Sequence, residues 1–585
     1  MCGVFAAITT KLPVQPIIVK ALKALEYRGY DSAGIALWDK HLVVEKKTGF
    51  VSALDQACKL LPESQSACIG IGHTRWATHG QPSEKNAHPH TFGDLALVHN
   101  GIIENHEILR TWCIEKGYTL QSDTDSEVIV CLLHDAMQSG ISLQDAMTQI
   151  GERLEGQYAC ICIDAQDPDK LYGVCHKRPL LYAQSEQGCF ISSDVLTLAE
   201  WSADYAVIPD SVAFCVSLSK GITFAKHINL SFLQHGANEQ TVNHDGFESF
   251  MHKEIVQQKE TLLMQSQHYE ADVVFRQAAH ALKSAQQIHI VACGSSYHAA
   301  LVAKYWCERW LRKCCHVEIA SEYRYREPVI PPGTSMIVIS QSGETADTIA
   351  AATYAQEQGI DSLIAICNVV TSHLATMSDY LVPLHVGPEI GVASTKAFTG
   401  QVFALLSLLH VAYKKYWDQT EIQGFVSVMT DAVNSMPQWK VLGDALAAYD
   451  HVIYIGRDHL APIAMEGALK IKEISYIHAE AYAGGELKHG PLALIDNQHP
   501  TVALIEDNQR SKIEVNIGEI KARDGAVFTV DVRDITDPEK ASLLVPCFNS
   551  ILLTIPLQCI AYYAALARNC NVDKPRNLAK CVTVE

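Results

Sequence analysis

The chain has 585 residues, of which 48% are hydrophobic, and it carries a formal net charge of −19 at pH 7. At about 150 residues per domain, this length predicts three or four domains with ample buried core. The acidic balance and the lack of a basic run argue against nucleic acid or an anionic membrane as a partner, because both reward clustered lysine and arginine. We therefore expect small-molecule ligands.

Nineteen cysteines are scattered without C-x-x-C spacing, which is typical of a reducing cytoplasm. Cys160 and Cys162 fall on one face of an apolar strand, as buried thiols do. No basic segment precedes an apolar stretch at the N-terminus, so we expect no secretory signal. The longest apolar stretches, 397–413 and 550–567, are interrupted by polar residues or proline and are predicted to be buried helices, not membrane spans.

The first element in chain order begins at a cysteine. Removal of Met1 would leave Cys2 at the N-terminus, with a free α-amine beside its thiol. A thiol pKa of ~8.5 and an amine pKa of ~7.7–8.0 are close enough for the amine to act as base near neutral pH. Position alone does not establish this role, because most cysteines are simply small hydrophobic residues.

Residues 1 to about 232 alternate short β-rich segments with turns, and helical patterns at 16–25 and 125–137 lie between them. This alternation predicts stacked sheets with flanking helices. A polar stretch without periodicity, 234–246, is a plausible linker before a helical segment that starts near Glu248.

The second half repeats itself. Buried-strand patterns end in Gly294 and in Gly456, a helical pattern follows each of them, and second apolar strands follow at 336–339 and 502–505. Strand, helix, strand alternation predicts two α/β subdomains with parallel sheets, each of about 150–170 residues.

The repeats differ after their second strands. The first continues as Ser340-Gln341-Ser342-Gly343-Glu344-Thr345 and opens a helix, so hydroxyls and backbone N–H groups converge where an anion is favoured. The alternative is a capping box with Ser342 as N-cap, although a box requires Glu or Gln at the third position after it. The second repeat has Glu506 and Asp507 there, which would repel phosphate. We predict one phosphate site for the pair.

The second repeat and the tail concentrate ionisable groups. Lys470 and Glu473 share one face of a helix, and His489 lies in a polar loop where it could serve as general acid or base. Taken singly, these are a solvated ion pair and a loop histidine without a role, and Lys580 is a charge on a fraying tail.

Together these features resemble the glutamine:fructose-6-phosphate aminotransferase (isomerising) family, whose members are also called glucosamine-6-phosphate synthases. The resemblance covers essentially all 585 residues, and its length and short linker are similar to the bacterial form. The matching segments are, in order, 27–34, 72–80, 99–101, 340–345, 393–396, 486–491 and the tail.

The resemblance implies an α+β N-terminal-nucleophile (Ntn) hydrolase domain, an αββα sandwich, followed by two α/β sugar isomerase (SIS) subdomains with parallel sheets. The implied boundaries are a type 2 glutamine amidotransferase (glutaminase) domain at 1–232, a linker at 233–247, SIS subdomains at 248–425 and 426–569, and a tail at 570–585 that closes the sugar site.

The same resemblance implies the reaction. L-glutamine and D-fructose 6-phosphate would yield L-glutamate and D-glucosamine 6-phosphate by glutamine hydrolysis, internal ammonia transfer and sugar-imine isomerisation, as the first committed step of UDP-N-acetylglucosamine synthesis. No cofactor and no metal are implied. We expect a cytoplasmic homodimer with neither a nucleic-acid nor a membrane partner.

In the glutaminase site the resemblance makes Cys2 the nucleophile, with its own amine as base, and makes Asn100 and the Gly101 N–H the oxyanion donors. An oxyanion needs donors placed where charge develops. The implied glutamine-binding residues are Arg75 for the carboxylate, Asp125 for the ammonium, Thr78 and His79 as lining, Trp76 as a gate between the two sites and Arg28 as a closing group. The alternative for Trp76 is a core aromatic.

In the sugar site the resemblance assigns the phosphate to Ser340, Gln341, Ser342 and Thr345, and the surroundings of the sugar to Ser296, Val392 and Ser394. Lys580 would form a Schiff base with C2 of the opened sugar, since a desolvated lysine is nucleophilic. His489 of the neighbouring subunit would open the ring, Glu473 would move a proton between C1 and C2, and Lys470 would assist.

Three positions depart from the family pattern: Ala6, Pro388, and Gly484 before Gly485. Two other interpretations remain. One is another amidotransferase of the same class, such as amidophosphoribosyltransferase, although 502–507 lacks the Gly-Thr phosphate turn that it requires. The other is a non-catalytic sensor of sugar phosphates, which has no reason to keep Cys2 and Glu473 together with His489 and Lys580.

Overall fold

The computed structural model describes residues 2–61, 66–234, 243–542 and 544–582. These residues form two compact units. The first contains 2–234 together with the last described residues, 579–582, and the second contains 243–578.

The first unit is built from two antiparallel sheets. Its strands are β1 (Gly3–Thr9), β2 (Ser32–Asp39), β3 (His41–Thr48), β4 (Ile69–Arg75), β5 (His90–Phe92), β6 (Leu95–Ile103), β7 (Gly156–Asp164), β8 (Lys170–His176), β9 (Leu181–Ser185), β10 (Gly188–Ser192), β11 (Asp204–Val207), β12 (Phe214–Ser217), β13 (Gly221–Phe224) and β14 (Phe232–Gln234). One sheet runs β14-β11-β9-β10-β1-β4-β2-β3 and the other β13-β12-β8-β7-β6-β5.

Helices cover the outer face of each sheet. They are α1 (Val14–Leu25), α2 (Val51–Cys58), α3 (His106–Glu115), α4 (Glu127–Gln138) and α5 (Leu143–Gly151). Strand β1 is buried along its whole length: Val4 and Ala6 belong to the core between the sheets, whereas Phe5 packs with α1 and α2. A third core joins the other sheet to α3, α4 and α5. The predicted αββα sandwich is confirmed.

The second unit contains two parallel sheets. Its strands are β15 (Gln287–Ala292), β16 (Cys314–Ile319), β17 (Thr334–Ser340), β18 (Ser362–Cys367), β19 (Tyr380–Pro383), β20 (His451–Gly456), β21 (His478–Ala483), β22 (Thr501–Ile505) and β23 (Val527–Asp531). The orders are β16-β15-β17-β18-β19 and β21-β20-β22-β23. In both sheets the first strand of the repeat pairs with the strands that follow it, so the predicted repeat is confirmed.

Fifteen helices surround these sheets in the described part of the second unit. They are α6 (Phe250–Val256), α7 (Gln258–Ala271), α8 (Val273–Ser284), α9 (Gly294–Trp306), α10 (Ala320–Tyr323), α11 (Ala346–Glu357), α12 (His373–Met377), α13 (Lys396–Tyr413), α14 (Gln419–Asn434), α15 (Lys440–Leu446), α16 (Ala461–Ser475), α17 (Arg510–Lys521), α18 (Val532–Ile535), α19 (Pro538–Ser542) and α20 (Asn549–Ala567).

The two long apolar stretches are buried helices, as predicted: they form α13 and α20, which pack in one core with residues of both sheets. By length and composition alone, one helical segment among the described residues, Pro546–Ala567, could cross a membrane, and 83% of its most apolar window is buried. All 19 cysteines are free thiols, and Cys160 and Cys162 are fully buried, as predicted.

The predicted linker covers residues 233–247. Strand β14 extends to Gln234, residues 235–242 lie outside the described part of the chain, and helical structure resumes at Phe250. The domain boundaries stay a prediction.

Candidate active sites

The predicted nucleophile lies at the start of a central strand. Strand β1 pairs with β4 so that Gly3 is opposite Thr74, which brings Cys2 level with Arg75. The half-buried Cys2 thiol lies 3.8 Å from the carbonyl oxygen of Trp76, to which it donates. The sulfur therefore lies at the end of a central strand and is only partly buried.

Arg75 ends β4 and is 4% exposed. Its Nη2 donates to the carbonyl oxygens of His79 and Gly80, the latter at 2.9 Å. Its Nη1 is buried and has no hydrogen-bond partner among the described residues. Burial lowers the pKa of Arg75, while the charges of Cys2, Asp31 and Asp125 raise it. A buried guanidinium with one open arm fits a carboxylate ligand.

Asp125 lies just before α4 and is 3% exposed. Its Oδ2 accepts from the backbone N–H of Ile103 at 2.9 Å, and its Oδ1 from the Ser126 hydroxyl at 3.2 Å. Its charge acts on Arg75, as does that of Cys2. The structure thus brings three predicted residues together: a thiol, a guanidinium and a carboxylate.

The predicted oxyanion donors are consecutive residues of β6. Asn100 is 4% exposed. Gly101 has φ +141°, and a Cβ there would lie 1.9 Å from the carbonyl oxygen of Gln157. Only glycine fits this backbone, because other residues would be strained and would clash with the neighbouring strand.

The remaining predicted glutamine-site residues lie around Arg75. Trp76 is half-buried and Thr78 is exposed. The Nδ1 of His79 is buried without a hydrogen-bond partner in the described part of the chain. The Arg28 guanidinium pairs with Asp194 at 2.7 Å. Gating by Trp76 and closure by Arg28 stay predictions.

The predicted phosphate loop joins β17 to α11. The Ser340 hydroxyl lies 2.8 Å from that of Thr345 and accepts from the Gly343 N–H at 3.1 Å, while Ser342 Oγ accepts from the Glu344 N–H at 3.1 Å. Gly343 has φ +67°, and a Cβ there would lie 1.9 Å from Ser372 Oγ. The loop is therefore a tight turn lined by hydroxyls, with Gln341 half-buried beside them.

The capping-box alternative for this loop is wrong. Helix α11 begins after Thr345, not after Ser342, and the Thr345 side chain makes no capping hydrogen bond. Because the Thr345 side chain does not cap α11, the N-terminal end of this helix keeps a partial positive charge that favours an anion.

The predicted sugar-site residues come from separate segments of the second unit. Ser296 lies in the first turn of α9, which follows β15, the strand beside β17. Ser394 Oγ donates to Glu389 at 3.4 Å. Val392 is 8% exposed, and its N–H donates to the carbonyl oxygen of Asp573, in the tail, at 3.1 Å.

The helix α16 carries a buried charge cluster. Lys470 Nζ lies 2.6 Å from Glu473 and 3.4 Å from Glu466, and Lys470 and Glu466 are each 1% exposed. Burial opposes the charge on Lys470, but Glu473 and Glu466 raise its pKa above the ordinary value. Lys470 and Glu473 are therefore not the solvated ion pair of the alternative interpretation.

Sequence reasoning missed Glu466, which bridges the two repeats. Its carboxylate accepts from Ser295 Oγ at 2.9 Å and lies 2.8 Å from His298 Nδ1, both on α9 of the first repeat. Its place four residues before Lys470 on one helix was the available signal.

Two predicted catalytic residues lie apart from this cluster in sequence. His489 ends a short 3₁₀ turn and is exposed, and Lys580, half-buried, belongs to the first unit. The tail before it is anchored, because the Asp573 carboxylate accepts from the N–H groups of Phe250 and Met251 at 2.9 and 2.8 Å.

Comparison with known proteins follows the same division. A family model described as an SIS domain matches residues 281–411 and 445–568. A second, described as a glutamine amidotransferase domain, matches residues 73–200. The first covers the two parallel sheets, and the second lies within the sandwich.

Individual relatives match over the full length. The glutamine–fructose-6-phosphate aminotransferase (isomerising) of Shewanella oneidensis is 41% identical over 617 residues, and that of Pseudomonas syringae pv. tomato is 41% identical over 624 residues, with 100% of each chain covered. Among solved structures, the C-terminal domain of glucosamine-fructose-6-phosphate aminotransferase from Francisella tularensis is 36% identical, has a TM-score of 0.52, and covers 57% of this chain and 100% of its own.

Proposed function

Because the chain belongs to the family of glutamine–fructose-6-phosphate aminotransferases (isomerising), we propose that it converts L-glutamine and D-fructose 6-phosphate to L-glutamate and D-glucosamine 6-phosphate. One observation carries this proposal: full-length identity of 41% spans both the sandwich with its N-terminal cysteine and the duplicated parallel sheets. An amidotransferase without SIS subdomains, or a sensor without a nucleophile, does not account for both.

In the first unit, the Cys2 thiol attacks the glutamine carboxamide after passing its proton to the α-amine that removal of Met1 exposes. The open arm of Arg75 supports carboxylate binding, and Asp125 supports ammonium binding. Asn100 and the Gly101 N–H stabilise the oxyanion, ammonia leaves, and water hydrolyses the thioester to glutamate.

In the sugar reaction, the loop from Ser340 to Thr345 holds the phosphate. Lys580 condenses with the C2 ketone of the ring-opened sugar and releases water. Ammonia then displaces the lysine, so that C2 carries an imine. Glu473 takes a proton from C1 and returns it to C2, while the proton of the C1 hydroxyl passes to the imine nitrogen, which gives the C1 aldehyde and the C2 amine. Lys470, hydrogen-bonded to Glu473 at 2.6 Å, keeps that carboxylate oriented.

We further propose a cytoplasmic homodimer in which His489 opens the sugar ring in the site of the partner subunit. The exposure of His489 supports this assignment, because a side chain delivered to another chain must face outward. No nucleic acid or membrane takes part, and Trp76 acts as the gate for ammonia.

The test is anaerobic incubation of the full chain with glutamine and fructose 6-phosphate, with glutamate and glucosamine 6-phosphate quantified together. We expect equal yields, both abolished by Cys2→Ala. Glutamate without amino sugar would leave a glutaminase whose acceptor is another molecule, and neither product would favour the sensor. Sedimentation velocity, with and without fructose 6-phosphate, tests the dimer.

A further inference from the structure

A chain of hydrogen bonds links a buried histidine to the Asp125 carboxylate. His99, on β6, is 1% exposed, and its Nδ1 lies 2.7 Å from the Ser126 hydroxyl. Ser126 is 2% exposed, and its hydroxyl lies 3.2 Å from Asp125 Oδ1. Burial lowers the pKa of His99 to about 4, so the imidazole is neutral at physiological pH.

The direction of each hydrogen bond follows from the acceptor at its end. A carboxylate accepts and does not donate, so the Ser126 hydroxyl gives its one proton to Asp125. The Ser126 oxygen must then accept from His99, which places the imidazole proton on Nδ1. Only this tautomer of the neutral ring completes the chain from His99 through Ser126 to Asp125.

The backbone of His99 is held as well. Its carbonyl oxygen lies 2.9 Å from Nε2 of His73, and a carbonyl can only accept, so His73 donates from Nε2. His73 is fully buried on β4, two residues before Arg75. The next residue after His99 is Asn100. The ring of His99 therefore contacts Ser126, which is hydrogen-bonded to Asp125, and its backbone leads directly into Asn100, the proposed oxyanion donor.

A second chain of the same kind holds the other side of this segment. His90 Nε2 lies 3.0 Å from Thr124 Oγ1, which lies 2.9 Å from Ser122 Oγ, and Ser122 donates to Glu127 Oε2 at 2.7 Å. Buried histidines thus hold the residues on both sides of Asp125. The segment is fixed before any ligand arrives, which reduces the entropy lost on binding.

We propose that His99 is a positioning residue for glutamine binding, whose Nδ1 proton fixes Ser126 and thereby aims the Asp125 carboxylate at the α-ammonium group of the substrate. This inference rests on the proposed function, because the ammonium role of Asp125 belongs to it. His99 acts through Asp125 and does not touch the substrate.

The test compares two substrates in full-length variants. Glutaramate, which is glutamine without the α-amino group, makes no ammonium contact and serves as the insensitive substrate. In His99→Leu and Ser126→Ala we expect the KM for glutamine to rise about tenfold, as for a lost hydrogen bond to a charged group, with kcat changed less than about threefold. The kcat/KM for glutaramate should change less than about twofold.

Conservative and double variants sharpen the test. In His99→Asn an amide N–H takes the place of Nδ1–H, so the KM for glutamine should stay within about threefold of wild type. Because the residues act in series, the double variant His99→Leu/Ser126→Ala should be no worse than either single variant.

Equal losses for glutamine and glutaramate would show a merely structural role and overturn the proposal, as would a wild-type KM in Ser126→Ala. If His99→Leu does not fold, as judged by circular dichroism, Ser126→Ala decides alone, since it removes a single hydroxyl. Failure of the proposed function is a separate result: the wild-type chain would then hydrolyse no glutamine.

Discussion

The two parallel sheets of the second unit end differently at their carboxyl edges. In the first repeat, β17 ends at Ser340 and leads into a turn of hydroxyls and a helix that the Thr345 side chain does not cap. In the second, β22 ends at Ile505 and is followed by Glu506, which is 1% exposed. Glu506 lies 3.1 Å from Nε2 of His459 and accepts from Asn549 at 3.0 Å.

In the second repeat, the protein's own side chains therefore occupy the position that corresponds to the proposed phosphate loop of the first. His459, 1% exposed, also lies 2.8 Å from Ser550 Oγ, and its ring packs 5.3 Å from that of Trp306, on α9 of the first repeat. The duplicated sheets keep their strand order while the segments after the strands diverge. The first copy carries the proposed phosphate loop, and the second carries the buried Lys470 and the half-buried Glu473.

The largest effect is expected from Glu473, the proposed proton-transfer residue of the second repeat. Glu473→Gln should lower amino-sugar formation by about 10³-fold, within the range typical of general acid–base groups. Glutamine hydrolysis should persist, because the proposed mechanism assigns that step to Cys2 and not to Glu473. The measurement is the ratio of glucosamine 6-phosphate to glutamate. Lys472→Gln, an exposed neighbour on α16, is the control, and a comparable loss there would contradict the assignment.

The next largest effect concerns Glu506, at the carboxyl edge of the second parallel sheet. Glu506→Leu leaves the buried His459 and the half-buried Asn549 without their acceptor, so the free energy of unfolding should fall by about 3 kcal/mol. The KM for fructose 6-phosphate should not change. Urea unfolding followed by circular dichroism measures the loss, with Asp507→Asn, at an exposed site, as control. A raised KM in a stable Glu506→Leu variant would show that this edge also binds sugar.

A smaller effect is expected at Thr345, in the proposed phosphate loop of the first repeat. Thr345→Val keeps the side-chain shape but removes one hydroxyl from the loop, which should raise the KM for fructose 6-phosphate about tenfold to a hundredfold. Asn508→Ala, at an exposed position in the segment that follows β22 in the second repeat, should leave this KM unchanged. Initial rates at varied fructose 6-phosphate decide, and equal effects of the two changes would refute the single phosphate site.

The smallest effect is a difference in acid sensitivity between the first strands of the repeats. His289, on β15, is 4% exposed, hydrogen-bonded to Tyr323 at 3.0 Å, and burial lowers its pKa to about 4. The unfolded chain, with a histidine pKa near 6.5, takes up this proton first as the pH falls. The stability that neutral His289 contributes is therefore lost from about pH 6.5 towards pH 4.

Between pH 7 and pH 5.5 this loss should amount to about 1 kcal/mol. His289→Gln should remove that part of the acid destabilisation, measured as the difference between urea-unfolding free energies at the two pH values. His451→Gln, on the exposed first residue of β20, is the matched control and should keep the acid sensitivity of wild type. If the two variants lose the same stability between these pH values, the burial of His289 is not the cause of the acid sensitivity.

Local pattern predicted much of this molecule. The apolar run after Cys2 is a central buried strand, and the strand ending at Ser340 leads into a tight turn at a helix start, as the order of residues indicated. The two long apolar stretches are core helices. Each of these features depends on neighbours within a few residues, where propensity and periodicity act.

Pairings between distant segments were beyond that reasoning. Glu466 meets His298 across 168 positions, and Glu506 meets His459 from another loop. The sequence indicated that Glu506 would repel phosphate, and only the structure shows that its carboxylate is buried against an imidazole and an amide. The local sequence does not show whether a charged residue has a buried partner, because the two residues are distant in the chain and meet only in the folded protein.

By itself, the sequence determined the family, the order of sandwich and repeated parallel sheets, and the residues with the right chemistry, because these are set by residue type and short-range spacing. Only the tertiary structure decided which charges are buried together, which arm of Arg75 stays open, and which histidines support Asp125. Burial and hydrogen-bond partners are properties of segments that meet in space, and they decide whether a thiol, a carboxylate or an imidazole can serve the chemistry.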